Sequence, residues 1–393
     1  MSHPGIRNTG NECFLNATLQ CLSVSPFIRE FILRYTKKDI QLLEVIDKFN
    51  LGKFKADDIK FECKRILSEQ SETINIDEKI ILEQLIKHSF DIFIYISFKE
   101  IIRLLSDNDN KDKIISNSSF ISISRELSKN TSFSHLFSGQ QCDPHEFMVY
   151  LLEKLHNAKS SIISINIPEN VNELDIYSSL RLKDLKSRYE NDYSYFVKNI
   201  YYYILNCVQC SKCKHKSDKV EPHNTLCLSI PDTLSNETSN ESSNINLYDC
   251  LNEMFKIDNS DYKCEKCDNR ENNLKEEKIL SEPKTLIINL KRYGSISRNR
   301  TERINKMIKY PSILNMQNYY CGDEELNKYK LYAIINHTGT MNSGHYYSYI
   351  KTLQDDDKTF NEQWICCNDS RVSNITEEEA MNSQNAYILF YTK

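Results

Sequence analysis

The chain lacks a surplus of positive charge, and this absence excludes one class of function. Its 393 residues carry 50 Lys and Arg against 55 Asp and Glu, a formal net charge of −5. Proteins that bind nucleic acid through bulk charge carry a basic surplus. We therefore expect no nucleic-acid partner.

The sequence also has no uninterrupted apolar run long enough to cross a membrane. Its most apolar stretch, residues 88–105, contains Asp91, Lys99 and Glu100, whereas a membrane helix needs about 20 consecutive apolar residues. We interpret the stretch as a buried helix and expect no membrane span. Residues 1–5 are polar and short, so we expect no cleavable secretory signal.

Cysteine is too sparse for a disulfide scaffold, with fourteen residues in the whole chain. Without a secretory signal, such cysteines are best interpreted as reduced thiols, some of them catalytic or metal-bound. This usage predicts a protein of the cytoplasm or the nucleus.

Helical patterns come first along the chain and strand patterns later. Apolar side chains at 42, 45, 46 and 49 recur at helical spacing, and a second helical stripe covers 81–86. Four apolar segments indicate strands, at 284–292, 331–336, 345–351 and 386–391. Helices followed by strands predict an α+β fold.

Cys13 is a candidate nucleophile because it lies at a predicted helix start. Apolar residues follow it at helical spacing, and Gly10 and Asn11 precede it. The positive end of a helix dipole favours a thiolate. Asn8, five residues upstream, has a side-chain amide that can donate to a developing oxyanion. The alternative is a buried structural cysteine.

His345 is the candidate base for this thiol. It follows Gly344 at the start of an aromatic strand, and a strand end holds a base rigidly. Asn368 and Asp369 come just after a strand led by Trp364, and either side chain can accept the imidazole N–H. Adjacent strand residues point to opposite faces, so we expect only one of the two to do so. The alternative for His345 is a packed structural histidine.

A helix is predicted to begin at Asp143, with Asp at the N-cap, Pro144 at the first helical position and Glu146 two residues later. This order is that of a capping box. The N-cap role of Asp143 contributes on the order of 1 kcal/mol to the helix.

Two Cys-x-x-Cys pairs, Cys210–Cys213 and Cys264–Cys267, predict a metal site. Each pair presents two thiolates, and four thiolates suit one tetrahedral zinc ion. We predict one structural zinc ion, because four cysteines leave no ligand position open for catalysis. The alternative is a site that has kept its cysteines and lost its metal.

Together these blocks resemble the ubiquitin-specific protease family of deubiquitinases. Residues 8–16 resemble the family's cysteine box, 332–346 its histidine box, and 364–372 the segment that completes the triad. Residues 137–152 resemble the glutamine–aspartate helix, and 283–293 with 309–314 resemble palm strands. The resemblance extends from Gly5 to Tyr391.

The resemblance implies a papain-like cysteine peptidase with a hand architecture of thumb, fingers and palm. It implies one catalytic domain over 1–393: a helical thumb over about 1–192 with an insertion within 37–130, fingers over about 193–280 that carry the zinc ribbon, and a palm over about 281–393. Helices, strands and ribbon agree with this arrangement.

The resemblance also implies a role for each matching residue. Cys13 is the nucleophile, His345 the base and Asn368 the third member, with Asp369 as a helper beside it; Asn8 completes the oxyanion hole. Gln141, Asp143 and His337 contact the ubiquitin tail, although His337 is equally explained by a structural role. Glu12 departs from the family pattern, and a carboxylate beside the nucleophile opposes thiolate formation.

The implied activity is thiol-dependent hydrolysis of the isopeptide bond between ubiquitin and lysine, by a monomer with no catalytic cofactor. Three alternatives are a ubiquitin-binding scaffold without activity, a zinc-ribbon nucleic-acid module, and an enzyme for a ubiquitin-like modifier. A basic segment would suit the nucleic-acid alternative, but we interpret it as a solvated loop. Its residues are Lys291, Arg292, Arg298, Arg300, Arg303, Lys306 and Lys309.

Overall fold

A computed structural model of the chain describes residues 3–33, 37–53, 56–70, 73–167, 176–231, 245–297, 300–321, 328–340, 343–354 and 356–393. Arg298, one residue of the basic segment, lies outside these residues. Two compact units divide the chain. Unit 1 comprises residues 1–160, 352–361 and 365–373; unit 2 comprises 161–351, 362–364 and 374–393.

Unit 1 is largely helical. Its helices are α1 (Cys13–Ser23), α2 (Pro26–Leu33), α3 (Lys37–Lys48), α4 (Ala56–Glu69), α5 (Ile76–Ser106), α6 (Ser118–Ser128) and α7 (Pro144–Ala158). Two short strands, β1 (Gly5–Ile6) and β2 (Ile114–Ile115), pair in parallel. The helix predicted to begin at Cys13 is confirmed.

Helix α5 contains both apolar segments that the sequence suggested separately. It continues through His88, whose φ of −130° and ψ of 29° mark a kink. The side chains of α3, α4 and the first half of α5 share one apolar core. Buried Asp39 holds α3 to its neighbours, because Lys159 Nζ lies 2.7 Å from Asp39 Oδ1 and Lys99 Nζ lies 3.5 Å from Oδ2.

The described residues of unit 2 form four α-helices and most of the strands. The helices are α8 (Ile176–Tyr189), α9 (Tyr195–Asn199), α10 (Leu247–Met254) and α11 (Glu377–Met381). The strands are β3 (Tyr202–Gln209), β4 (Lys216–His223), β5 (Leu226–Ser229), β6 (Ile245–Asn246), β7 (Asp258–Ser260), β8 (Asn273–Ile279), β9 (Thr285–Lys291), β10 (Tyr293–Ser297), β11 (Arg300–Arg303), β12 (Ile308–Lys309), β13 (Ile313–Leu314), β14 (Tyr329–Gly339), β15 (Gly344–Leu353), β16 (Phe360–Asn368), β17 (Arg371–Ile375) and β18 (Ala386–Thr392). Three of these strands also carry unit 1 residues: 352–353 in β15, 360–361 and 365–368 in β16, and 371–373 in β17.

Most of these strands lie in two sheets, and β10 with β11 and β12 with β6 form two-stranded sheets of their own. The larger has the order β17-β16-β15-β14-β18-β9-β5, with β13 paired to β14, and the smaller has the order β4-β3-β8-β7. Strand β18 pairs with both β9 and β14 in antiparallel fashion. All four strands predicted from apolar segments are confirmed, as is the mixture of helices and sheet.

The interpretation of the basic segment as a solvated loop is wrong for Arg292 and Arg303, whereas Lys291 and Lys309 are exposed. Arg292 is fully buried and donates from Nε to Ala386 O at 2.6 Å. Arg303 donates from Nη2 to His337 O at 2.7 Å. Guanidinium groups have five donors in a fixed plane, and here carbonyl oxygens replace the water they would otherwise bind. Burial, with Arg303 nearby, lowers the pKa of Arg292 to about 10.

No helix among the described residues combines the length and the apolar character that crossing a bilayer requires. All fourteen cysteines lie within the described residues, and none is in a disulfide.

Candidate active site and metal centre

Cys13 is the first residue of α1, and only 2 % of its surface is exposed. Every residue of α1 is buried. Phe14, the next residue, packs edge-on against Phe147 of α7 with ring centroids 5.9 Å apart. A thiol on a helix fixed on all sides has a defined position, as a nucleophile requires.

The carboxylate of Glu12 is held by its own loop. Glu12 Oε2 accepts from Thr9 N, and both carboxylate oxygens accept from Thr9 Oγ1, all at 3.1 Å. The Glu12 side chain makes no capping bond to α1. Its negative charge is therefore met by donors three residues upstream of it.

The amide of Asn8 is fixed at both ends. Its Oδ1 accepts from Gly10 N at 3.0 Å and from Glu12 N at 3.3 Å. Its Nδ2 donates to Asp369 Oδ2 at 2.9 Å. Two N–H donors on the oxygen and a carboxylate on the nitrogen fix which way the amide points. Because the nitrogen carries two hydrogens, the bond to Asp369 orients the second.

Asp369 lies in the turn after β16 and has a φ of 52°. Its Oδ1 accepts from Asn16 Nδ2 at 2.8 Å, and its backbone oxygen accepts from Ile6 N at 2.9 Å. The expected strand alternation of Asn368 and Asp369 is wrong, because β16 ends at Asn368 and Asp369 is left-handed. Trp364, expected to lead this strand, lies in its middle and is buried.

Two residues that sequence reasoning missed complete this part of unit 1. Asn16 and Asn117 are each 1 % exposed, and Asn117 Nδ2 donates to Asn16 Oδ1 at 2.7 Å. A polar Asn16 inside the apolar pattern of α1 was a usable signal. The sequence gives no comparable signal for Asn117, because its partner lies 101 positions away.

Asp143 is the N-cap of α7, as predicted: its Oδ1 accepts from His145 N at 2.8 Å, and Pro144 follows at the first helical position. The Glu146 carboxylate lies 3.0 Å from His135 Nε2. Gln141 is exposed in the preceding loop, and Asn11 Nδ2 ties that loop to the cysteine segment through a 2.9 Å bond to Gly139 O.

In unit 2, His345 is the second residue of β15 and is half-buried. It pairs with Thr338 of β14, and Thr340 N donates to Ser343 O at 2.9 Å. Gly339 has a φ of 103°, and a Cβ there would lie 2.5 Å from Ser343 O. Only glycine suits such a position, which lies where β14 ends beside the start of β15.

His337 is a buried, neutral imidazole beside the predicted base. It is 2 % exposed, its Nδ1 lies 2.7 Å from Tyr293 Oη, and its ring centroid lies 4.3 Å from that of Tyr346. Burial, followed by the charge of Arg303, lowers the pKa of His337 to about 4. A Cβ on Gly344 would lie 2.0 Å from His337 Nε2, so the imidazole covers the residue before His345.

The four predicted metal ligands come together in unit 2. Their sulfur atoms all lie within 4.8 Å of one another, with 3.5 Å for both Cys210–Cys267 and Cys213–Cys264. Sulfurs of a tetrahedral zinc centre with bonds of about 2.3 Å lie about 3.8 Å apart. The four-cysteine cluster can therefore hold a metal ion of this size.

The two Cys-x-x-Cys turns have the same backbone construction. Lys214 N donates to Cys210 O at 3.1 Å, and Asp268 N donates to Cys264 O at 2.9 Å. Lys214 and Asp268 both have positive φ, 59° and 55°. The N–H of Cys213 points at Cys210 Sγ and lowers the pKa of that thiol. Both turns direct N–H groups and thiols inward, as a metal–thiolate site requires.

Comparison of the sequence with known proteins finds one family, in both the family match and the individual relatives. The sequence matches the family described as ubiquitin carboxyl-terminal hydrolase over residues 4–391. It is 29% identical over 401 residues to ubiquitin carboxyl-terminal hydrolase 25 of Arabidopsis thaliana, covering 99% of this chain and 47% of that protein. It is 26% identical over 444 residues to a probable ubiquitin carboxyl-terminal hydrolase of Acanthamoeba polyphaga mimivirus, covering 99% of this chain and 90% of that one.

The fold is similar to that of a solved structure, the SAGA Ubp8/Sgf11/Sus1/Sgf73 DUB module bound to ubiquitin aldehyde. The TM-score is 0.63 at 20% identity, over all of this chain and 69% of that one. At this identity the likeness concerns the fold. The chain spans about half the length of its Arabidopsis relative and most of its mimivirus relative.

Proposed function

Because the chain belongs to the ubiquitin carboxyl-terminal hydrolase family, we propose that it is a thiol-dependent isopeptidase that releases ubiquitin from lysine side chains. The observation that carries the proposal is the arrangement of Cys13 and Asn8. One short segment contains a cysteine at the start of a fully buried helix and, five residues before it, an amide with a fixed orientation. A nucleophile and an oxyanion donor are both needed for acyl transfer.

The proposed reaction begins when His345 takes the proton of Cys13. The sulfur attacks the carbonyl of ubiquitin's terminal glycine, and the oxyanion is stabilised by the Asn8 amide and the Cys13 backbone N–H. His345 then protonates the departing lysine amine as the C–N bond breaks. Water hydrolyses the resulting thioester and regenerates the thiol.

Asn368 and Asp369 take different roles in this proposal. Asn368 orients the imidazole of His345, as a neutral amide does in papain-like enzymes. Asp369 acts on Asn8, and the 2.9 Å bond between their side chains supports this assignment. The sequence left both residues as candidates for the imidazole's partner.

Gln141, Asp143 and His337 are the proposed contacts for the ubiquitin tail. Exposure of Gln141 and the half-buried carboxylate of Asp143 support contact with a basic peptide. His337, buried and neutral, supports the loop that closes over the tail's terminal glycines through its packing on Gly344.

The proposed metal is one zinc ion bound by the four cysteines, which suits a soft, tetrahedral cation. Bound zinc supplies structural cross-linking of the two turns and no chemistry at Cys13. Lys263 lies 2.7 Å from Asp268 beside the cluster, and Lys212, Lys214, Lys216 and Lys266 add positive charge along the same turns.

We further propose one catalytic domain over residues 1–393 with the thumb, fingers and palm segments given above. Its partners are ubiquitin and ubiquitylated proteins, it acts as a monomer without nucleic acid, and it operates in the cytoplasm or the nucleus. The need for a reduced thiol at Cys13 supports this location.

The test is hydrolysis of a fluorogenic amide at the ubiquitin C terminus, beside matched amides of ubiquitin-like modifiers. We expect turnover of the ubiquitin substrate by the wild-type protein and none by Cys13→Ala. If only the amide of another modifier is hydrolysed, that modifier and not ubiquitin is the substrate. Binding of ubiquitin without turnover would identify the protein as an inactive scaffold.

A further inference from the structure

Four polar side chains in unit 1 form a continuous chain of hydrogen bonds. Asn117 Nδ2 donates to Asn16 Oδ1 at 2.7 Å, Asn16 Nδ2 donates to Asp369 Oδ1 at 2.8 Å, and Asn8 Nδ2 donates to Asp369 Oδ2 at 2.9 Å. The four residues come from three separate parts of the sequence, with Asn8 and Asn16 both in the segment 8–16 that contains Cys13. The chain of bonds runs from a buried end, Asn117, to a half-buried end, Asn8.

The Asp369 carboxylate determines the direction of every bond in this chain. Because an ionised carboxylate only accepts, both amides that meet it must present nitrogen. Asn16 therefore turns its oxygen away from Asp369 and towards Asn117, which must present a donor. A rotated Asn16 amide would place oxygen against oxygen at Asp369 and nitrogen against nitrogen at Asn117.

The side chain of Asn117 bonds to Asn16 and does not cap its own helix. It is the N-cap residue of α6, a position where an asparagine side chain normally accepts from the first turn of the helix. Its side chain makes no such capping bond and reaches Asn16 instead. Departure from a local preference at a buried residue is typical of a position that serves a site.

We propose that Asn117 is a positioning residue for the oxyanion donor Asn8. It fixes the Asn16 amide, which holds one oxygen of Asp369 and leaves the other aimed at Asn8. The inference rests on the proposed function, since an oxyanion donor matters only if acyl transfer occurs at Cys13. Asn117 touches neither the thiol nor the substrate in this scheme.

The test measures kcat and KM on the fluorogenic ubiquitin amide for Asn117→Ala and Asn117→Asp. Losing an oxyanion donor costs about 10²–10³-fold in kcat, so disordering it through two intermediate residues should cost roughly tenfold. We expect KM to be unchanged. Asn117→Asp keeps the side-chain volume and replaces the donor with an acceptor, so it remains informative if Asn117→Ala folds poorly.

Ser128→Ala is the matched control on the same helix. Ser128 Oγ lies 2.7 Å from Tyr150 Oη and is 2 % exposed, so this variant loses a comparable buried bond far from Asn8 in the sequence. It should lower Tm without changing kcat. A structural role for Asn117 would give the same pattern as Ser128→Ala.

The decisive measurement combines Asn117→Ala with Asn8→Ala. If Asn117 acts through Asn8, the second substitution should leave the residual kcat of Asn8→Ala unchanged. A tenfold further loss in that background, or unchanged kcat for both Asn117 variants alone, would overturn the inference while the proposed function stands. Absence of turnover by the wild-type protein would overturn both.

Discussion

Asn8 and Asp369 lie 361 positions apart in the sequence, yet their side chains share a 2.9 Å hydrogen bond. The cysteine segment is joined at a second point, where Ile6 N donates to Asp369 O at 2.9 Å. The last part of the chain thus orients a residue near its beginning. This relationship divides the tasks of the adjacent residues Asn368 and Asp369.

The first prediction separates these tasks by mutation. We expect Asp369→Ala to lower kcat about 10²-fold, close to the loss for Asn8→Ala, because removing the carboxylate frees the donor amide. The two substitutions together should lose little more than either alone. Asn368→Ala should add its loss to that of Asn8→Ala. Full additivity of Asp369→Ala with Asn8→Ala would instead make Asp369 the partner of the imidazole.

The second prediction concerns Gly344. A Cβ there would lie 2.0 Å from His337 Nε2, so Gly344→Ala must displace the imidazole. Overpacking of this kind costs about 1–3 kcal/mol of the free energy of unfolding, and it moves the strand that carries His345. Thermal unfolding and kcat should both fall.

Two variants control this prediction. Gly52→Ala, whose Cβ would meet only Ile46 Cγ2 at 4.0 Å, should leave both quantities near wild type. Combining Gly344→Ala with His337→Ala should recover part of the lost Tm, because the overlapping ring is gone while Thr338 O would still lie 2.7 Å from the Cβ. No recovery of Tm in the double variant would show that the overlap with the imidazole is not the cause of the loss.

The third prediction concerns the four-cysteine cluster. Purified protein should contain one zinc ion per chain, and Cys264→Ser should lose it and lower Tm, because the two turns are then no longer joined. Cys207→Ser is the control: Cys207 lies on β3, outside the cluster, and burial raises the pKa of its thiol to about 12. Mass spectrometry of the purified protein measures the metal content. A wild-type protein without metal, together with a Tm of Cys264→Ser equal to that of the wild type, would contradict the predicted site.

The fourth prediction concerns pH and His3. Burial, opposed by a 2.7 Å bond to Gln20, lowers the pKa of His3 from 6.5 to about 4. Gln20 Nε2 donates to Pro4 O, so Gln20 Oε1 faces the imidazole and accepts from a proton on His3 Nε2. Above pH 6.5 the folded and unfolded states bind the same number of protons at His3. As pH falls from 6.5 to about 4, only the unfolded state gains a proton and stability is lost.

His3→Gln removes this titration. The difference in unfolding free energy between wild type and variant should shift by roughly 3 kcal/mol between pH 7 and pH 4, in favour of the variant. Denaturant unfolding at a series of pH values measures it. A difference independent of pH would show that the pKa of His3 is the same in the folded and unfolded states.

Local sequence patterns predicted those features of the fold that depend only on residues close together in the sequence. The start of α1 at Cys13, the N-cap Asp143 and the strand β9 all depend on side chains within a few positions. The paired cysteines were also predictable, since their spacing alone presents two thiolates on each turn. Neither pattern requires knowledge of distant contacts.

What escaped prediction depends on partners far away in the sequence. Arg292 was interpreted as a solvated charge, and one carbonyl that accepts from it, Ala386 O, lies 94 positions away. The sequence did not single out Asn117, and only the fold shows that its side chain reaches Asn16. The turn at Asp369 was missed because a positive φ has no strict sequence signature outside glycine.

The central claim is that Cys13 is the nucleophile of a ubiquitin isopeptidase. The most direct measurement is reaction of the intact protein with ubiquitin carrying a C-terminal electrophile, followed by mass spectrometry of the product. We expect one ubiquitin adduct on the wild-type protein, mapped to Cys13, and no adduct on Cys13→Ala. An adduct that persists in Cys13→Ala, or none on a folded wild-type protein, would contradict the account.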